Sequence, residues 1–234
     1  MGVWFSLAIA PMSFTTFTDL ASTILAFSLQ YQEANFMTET AVQLEPFFRD
    51  RLTASLEDGV VFNSEAAICE TIIAPILRET WLSYKQLLQL WSHQPLRYDD
   101  QLSGIPDYMV SRRSPQGKII LERPYLIVVE AKKDDFDGGW GQCLAELVAA
   151  QKLNQAVTDG DPNHESTVFG IVANGKLWEF GKLQGTTFTK NTKYYTLEQL
   201  EVLMGAIDFL FAAGLRQITG REGEPLPENS IADA

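Results

Sequence analysis

Cysteine and histidine are scarce: the 234 residues hold only Cys69, Cys143, His93 and His164, and no CxxC or HxxxH spacing joins any two of them. That argues against a structural zinc site and a disulfide framework, and two distant thiols suit a reducing cytoplasm. Basic residues are also short, with 18 Lys and Arg against 30 Asp and Glu and a formal net charge of −12. Affinity for a phosphate backbone comes largely from Lys and Arg, so the charge argues against a nonspecific nucleic-acid coat, although a local basic groove can sit on an acidic body. No GxSxG elbow and no Cys/His pairing appears, which leaves covalent hydrolase chemistry without a nucleophile. Beyond the opening segment the sequence offers no 18-residue apolar run, so a soluble chain without a membrane partner is expected.

What is present is ordinary globular composition, 46% hydrophobic and 21% charged, enough for one sizeable α/β domain. Residues 1–12 are apolar without a positive leader, reading as neither signal peptide nor span, and Met12 or Met37 is read as the true start. The expected organisation is an N-terminal segment over 1–36, helical or partly disordered, one domain over 37–218, and a disordered polar tail over 219–234.

Periodicity predicts a helix over 16–58, with Leu44, Phe47, Phe48 and Leu52 three and four residues apart. Ser64 caps a second helix running to about Trp81, with Pro75 as a kink. Strands follow at Leu88–Ser92 and Ile105–Val110, and the unbroken apolar run Tyr125–Val129 reads as a strand buried on both faces. After the loop DDFDGG comes a helix from Trp140 to Val157. Val168–Ala173 and Lys176–Phe180 flank Asn174-Gly175, a strong hairpin signal. A capping box at Thr196 and Gln199 opens a last helix, expected to close near Gly214. The order describes a mixed α/β domain with a central sheet.

Three polar residues interrupt the apolar strands: Asp107 in GIPDYMV, Glu130 at the end of YLIVVE, and Lys132 two residues on. Residues i and i+2 of a strand share a face, so Glu130 and Lys132 project together while Ala131 turns away. If the Asp107 strand pairs beside them, two carboxylates and an ammonium converge at one sheet edge. Mg²⁺ takes about six oxygens, commonly one or two carboxylates plus water and substrate phosphate. Asp107 and Glu130 would supply the carboxylates, and the Ala131 carbonyl a third protein ligand.

Pro106-Asp107, a gap, then Glu130-x-Lys132 on an apolar strand resembles the PD-(D/E)xK nuclease superfamily. Two more residues match that pattern: Glu70, on the helix before the sheet, where many members add an acid to the metal site, and Gln142, resembling the glutamine motif of the recombination-exonuclease branch. The resemblance covers roughly residues 65–180 and implies a restriction-endonuclease-like fold, a central mixed sheet flanked by helices. It also implies a Mg²⁺-dependent phosphodiesterase, with Mn²⁺ as substitute, acting on nucleic acid. It does not fix the substrate, since members cut DNA, cut RNA or have lost activity; DNA and a homodimer are the expectations. The catalytic set would be Asp107, Glu130, Lys132 and Gln142, and the metal set Glu70, Asp107, Glu130 and Ala131. The alternative is a silent or weak nuclease-fold module that binds within a larger nucleic-acid-processing complex.

Bland readings stand beside these. Glu70 reads equally as an exposed helix glutamate, Gln142 as a helix-start residue, and Glu146 as a solvated helix residue. The acids Asp134, Asp135 and Asp137 read as a turn into the helix, and Arg112 and Arg113 as phosphate contacts or a basic turn. Gly170–Lys176 imitates a phosphate-binding loop, but Leu177 follows where Ser or Thr is required, and a strand follows where a helix is.

Overall fold

The computed structural model describes residues 13–156 and 166–220. The helices are α1 (Leu20–Ala26), α2 (Pro46–Asp58), α3 (Glu65–Ile68), α4 (Ala74–Leu82), α5 (Phe136–Gln155) and α6 (Leu200–Thr219). The strands are β1 (Gln30–Ala34), β2 (Leu88–Ser92), β3 (Leu96–Arg97), β4 (Ser103–Gly104), β5 (Tyr108–Arg113), β6 (Leu121–Ala131), β7 (Val168–Ala173), β8 (Leu177–Gln184), β9 (Thr187–Asn191) and β10 (Tyr195–Thr196).

Eight strands form a mixed sheet in the order β1-β9-β8-β7-β6-β5-β2, with β10 beside β8; β3 and β4 pair separately. β6 and β7 run parallel, which requires a crossover, and α5 supplies it. Helices cover both faces. Against one lie Trp140, Cys143, Leu144 and Leu147 of α5, packed with Val128 and Val172. Against the other lie Ile76 and Leu77 of α4 and Leu203, Ile207, Leu210 and Phe211 of α6, packed with Val129 and Ile171. Adjacent residues Val128 and Val129 thus belong to different layers, which is why β6 reads as an unbroken apolar run.

Several expectations are revised. The stretch 16–58 is not one helix: Ser28 takes a left-handed φ of 52° after α1, and Gln30–Ala34 pairs parallel with β9. All five β1 residues are exposed, so no apolar pattern announces the strand. That pairing also joins residues 30–34 to the sheet, across the boundary expected at residue 37. Ser64 does cap its helix, accepting from the Ala67 amide at 3.1 Å. Pro75 is met by a π turn over Cys69–Ile73, just before it, where the Ala74 amide reaches back to the Cys69 carbonyl.

The strand expected from Ile105 begins at Tyr108, because Pro106 lacks a donor and the Asp107 carboxylate takes the next β6 amide itself. α5 starts at Phe136 with Asp135 as its cap, accepting from Gly138 at 2.9 Å, so Gly138 and Gly139 lie inside the helix. Its expected end at Val157 falls outside the described residues, as do residues 1–12 and 221–234 of the two expected terminal segments. The hairpin forms as read: Gly175 has φ 84°, and the Asn174 side chain accepts from Lys176 and Leu177. Gly170–Lys176 is therefore strand and turn.

The capping box does not form; Leu197–Gln199 is a 3₁₀ turn with no side-chain cap at Thr196. α6 runs past Gly214 to Gly220, whose φ of 66° ends it, because Gly214 packs against Leu126. Contrary to the expectation that no such stretch follows the opening segment, Leu197–Thr219 is long and apolar enough to cross a membrane. Half of its most apolar window is buried within this protein, where it forms core.

The contact that seats α1 on α5 is very close: a Cβ at Gly141 would stand 2.7 Å from the Phe17 carbonyl oxygen and the Asp19 nitrogen. Helix propensity alone favours Gly141→Ala by about 1 kcal/mol. A clash with backbone should reverse the sign and cost about 1–3 kcal/mol. Urea unfolding should show the midpoint falling; a midpoint that rises would contradict the packing described.

Candidate active site

The site grows from the end of β6. Tyr108 pairs with Val129 and Met109 with Val128, so one further step of register brings Asp107 opposite Glu130. The ladder stops there. Asp107 Oδ2 instead accepts the Ala131 amide at 2.7 Å, doing with a side chain what the next β5 carbonyl would have done. In an extended strand a residue's carbonyl points to the same side as its amide, so the Ala131 carbonyl also faces Asp107.

Glu130, 2% exposed, turns toward α5. Its Oε1 accepts from Lys132 Nζ at 2.7 Å, and its Oε2 is buried with no partner among the described residues. Lys132 also donates to Gln142 Oε1 at 3.2 Å, and Gln142 Nε2 reaches Glu146 Oε1 at 3.4 Å. A polar chain thus runs Glu130–Lys132–Gln142–Glu146 from the strand end into the helix. Lys132 is held on one side by Gly139, where a Cβ would meet its Cγ at 2.9 Å.

Burial raises the Glu130 carboxyl to about 8, Asp107 adding to the rise and Lys132 opposing it. Burial also raises Asp107, against the Ala131 amide, His93 and Lys132. Glu146 is pushed well above the carboxylate range by burial and then by Glu130. For Lys132 burial works downward, but the acid beside it wins and the ammonium is held above its usual value.

Asp107, Glu130, Ala131, Lys132 and Gln142 are therefore brought together. Glu70 is not part of the group: it is exposed, on the wall of a cavity of about 910 Å³ that Asp107 also lines. Its neighbour one turn earlier, Glu65, is the helix acid whose charge reaches Glu130 and Lys132. Glu146, expected in solvent, is fully buried. Its signal was present in the sequence, four residues from Gln142 on the same helix face. His93 was missed for want of any pattern. It follows β2 with φ 52°, its amide donates to the Asp107 carbonyl at 2.9 Å, and its Nε2 lies 3.6 Å from Asp107 Oδ1. Among the acids after β6, Asp135 caps α5 and Asp137 accepts from the Leu20 amide. Arg113 bonds the Lys85 carbonyl, away from the site.

Among the described residues no three His, Cys, Asp or Glu side chains are grouped for a metal ion. A Mg²⁺ site needs fewer, since one or two carboxylates suffice when water and phosphate complete the shell. The unpartnered Glu130 Oε2 and the outward Ala131 carbonyl beside Asp107 fit that smaller requirement.

Fold and site together describe an α/β protein whose mixed sheet carries a buried acid–lysine–glutamine chain at a strand end. The chain matches no protein-family model and no curated protein.

Because Glu130 holds a proton in the folded state that the unfolded chain has lost, stability should fall as pH rises from about 4.5 to about 8. Glu146 acts in the same direction. Glu130→Gln and Glu146→Gln should each flatten that slope and stabilise the protein at the alkaline end. Chemical unfolding across this range without divalent cation measures it; an unchanged slope in both variants would refute the assignment.

Proposed function

We propose that this chain is a divalent-metal-dependent phosphodiester hydrolase of the PD-(D/E)xK kind, with a restriction-endonuclease-like sheet, acting on nucleic acid and on DNA first. The observation that carries the reading is the pair of short contacts at the end of β6. Lys132 Nζ lies 2.7 Å from Glu130, and Asp107 lies 2.7 Å from the intervening Ala131 amide. Residues 24 positions apart in the chain thereby meet in the order the motif requires.

Asp107, Glu130 and the Ala131 carbonyl are the groups that would hold Mg²⁺ or Mn²⁺. When bound, such an ion lowers the pKa of a water and polarises a phosphoryl oxygen. Lys132, held as an ammonium, would orient the attacking water and offset charge gathering on the phosphate. Gln142 fixes Lys132 through its amide oxygen, and its amide nitrogen is fixed in turn by Glu146. Burial raises the carboxyls of both Asp107 and Glu130, with Asp107 adding to the rise at Glu130, and a bound cation would favour their charged forms.

A second reading, a binding module without cleavage, draws on charge: Glu65 and Glu70 line the cavity beside Asp107 on a chain of net charge −12. Two measurements separate the readings. Mg²⁺ or Mn²⁺ should raise the melting temperature of wild type by linkage, and Glu130→Ala should lose most of that rise; an equal rise in both would indicate surface binding only.

Lys132→Ala should keep the metal-induced stabilisation while cleavage of a nucleic-acid substrate drops by about a hundredfold or more. Wild type that cuts no DNA or RNA with either ion would transfer the case to the binding module. Equal cutting by Lys132→Ala would remove the role given to that residue.

A further inference from the structure

The cavity beside Asp107 has features that the cleavage site itself does not use. It opens between one helix face, carrying Glu65, Cys69, Ala74, Arg78 and Trp81, and the strand side, carrying His93 and Tyr108. The π turn inserts one residue between Cys69 and Ala74, and this keeps residues on both sides of Pro75 on the same wall. Among the described residues Arg78 is the one Lys or Arg lining the cavity; it is exposed and has no hydrogen-bond or ion-pair partner there.

Two aromatic side chains are fixed on the walls. Trp81 is held by its indole N–H donating to the Leu88 carbonyl at 2.9 Å, and its ring is partly exposed. The His93 ring is pinned by Ser92 Oγ at 2.7 Å and packs edge-on to Tyr108, with ring centres 6.0 Å apart. Its side chain is still 59% exposed. Non-glycine residues seldom adopt a positive φ, and here the turn aims an imidazole into the cavity.

We propose that this cavity seats one unpaired nucleotide of a single-stranded polynucleotide, next to the phosphate presented at Asp107. The Arg78 guanidinium takes the neighbouring phosphate, and Trp81 and His93 supply aromatic surface for the base. The inference rests on the nuclease reading and deepens it by naming the substrate class.

Charge and geometry favour one strand over two. A duplex would bring a second phosphate backbone toward Glu65 and Glu70 on a body already at −12. It would also have to unpair and unstack a base before the cavity could be filled. An unpaired strand needs no such unpairing, and base-on-aromatic stacking beside a cation is tolerant of sequence.

The test uses the full chain and fluorescein-labelled oligonucleotides of one sequence, as single-stranded DNA, single-stranded RNA and blunt duplex DNA. Binding is read by anisotropy in the Lys132→Ala background, so that cutting does not interfere, and cleavage is read in wild type with Mn²⁺. One of the single strands should bind at least about tenfold more tightly than the duplex, and the DNA and RNA arms identify the sugar. Arg78→Ala and Trp81→Phe should each weaken that binding by about fivefold or more, with the duplex signal unchanged. Arg78 is exposed and Trp81→Phe keeps an aromatic ring, so both variants should fold as wild type by thermal melting.

Duplex bound or cut as readily as single strand overturns the inference while leaving the nuclease reading intact. Single-strand binding that depends on Arg78 and Trp81 without any cleavage overturns the nuclease reading and supports the inference. Unchanged binding in both variants, or no binding at all, overturns the inference.

Discussion

Glu130 sits almost wholly out of water near the end of β6, within its buried stretch from Tyr125 to Ala131, and an isolated carboxylate there would cost several kcal/mol of stability. The structure compensates in two ways. Lys132 supplies a countercharge from two residues away, and burial raises the carboxyl so that it carries a proton over much of the neutral range. Neither is complete, because one carboxylate oxygen remains without a partner among the described residues. Everything else at the site follows from managing that acid. Gln142 fixes the lysine that answers it, Glu146 fixes Gln142 from a fully buried position, and Gly139 clears the space the lysine stem occupies.

The sheet makes this arrangement possible by ending unevenly. β5 stops at Tyr108 while β6 continues to Ala131, leaving one amide and one carbonyl beyond the ladder. Pro106 cannot extend β5, and Asp107 turns the lost pairing into a side-chain contact. A short strand beside a long one thus gives a polar notch bounded by a carboxylate, a backbone oxygen and a buried acid.

Charge sets the character of the surroundings. The net charge is −12, and among the described residues Arg78 is the one cation lining the cavity beside the notch, with Glu65, Glu70 and aromatic rings around it.

The short-range features were legible in the sequence. The i, i+2 relation of Glu130 and Lys132, the apolar run before them, the Asn174-Gly175 turn and the Ser64 cap all depend on neighbours within a few residues, where backbone periodicity fixes geometry. A mixed α/β domain with a central sheet followed from the same periods, while the flanking helices were an expectation of the motif resemblance. β1 was not legible: five exposed residues carry no apolar pattern, and only the free edge of β9 makes them a strand. Nor were the burial of Glu146, the replacement of Glu70 by Glu65 as the acid in electrostatic reach, or the approach of His93 to Asp107. Each depends on which helix face meets which strand end, a matter of long-range packing. Local sequence fixed which residues share a face. The tertiary structure decided what that face meets, because burial and pairing are made by segments far apart in the chain.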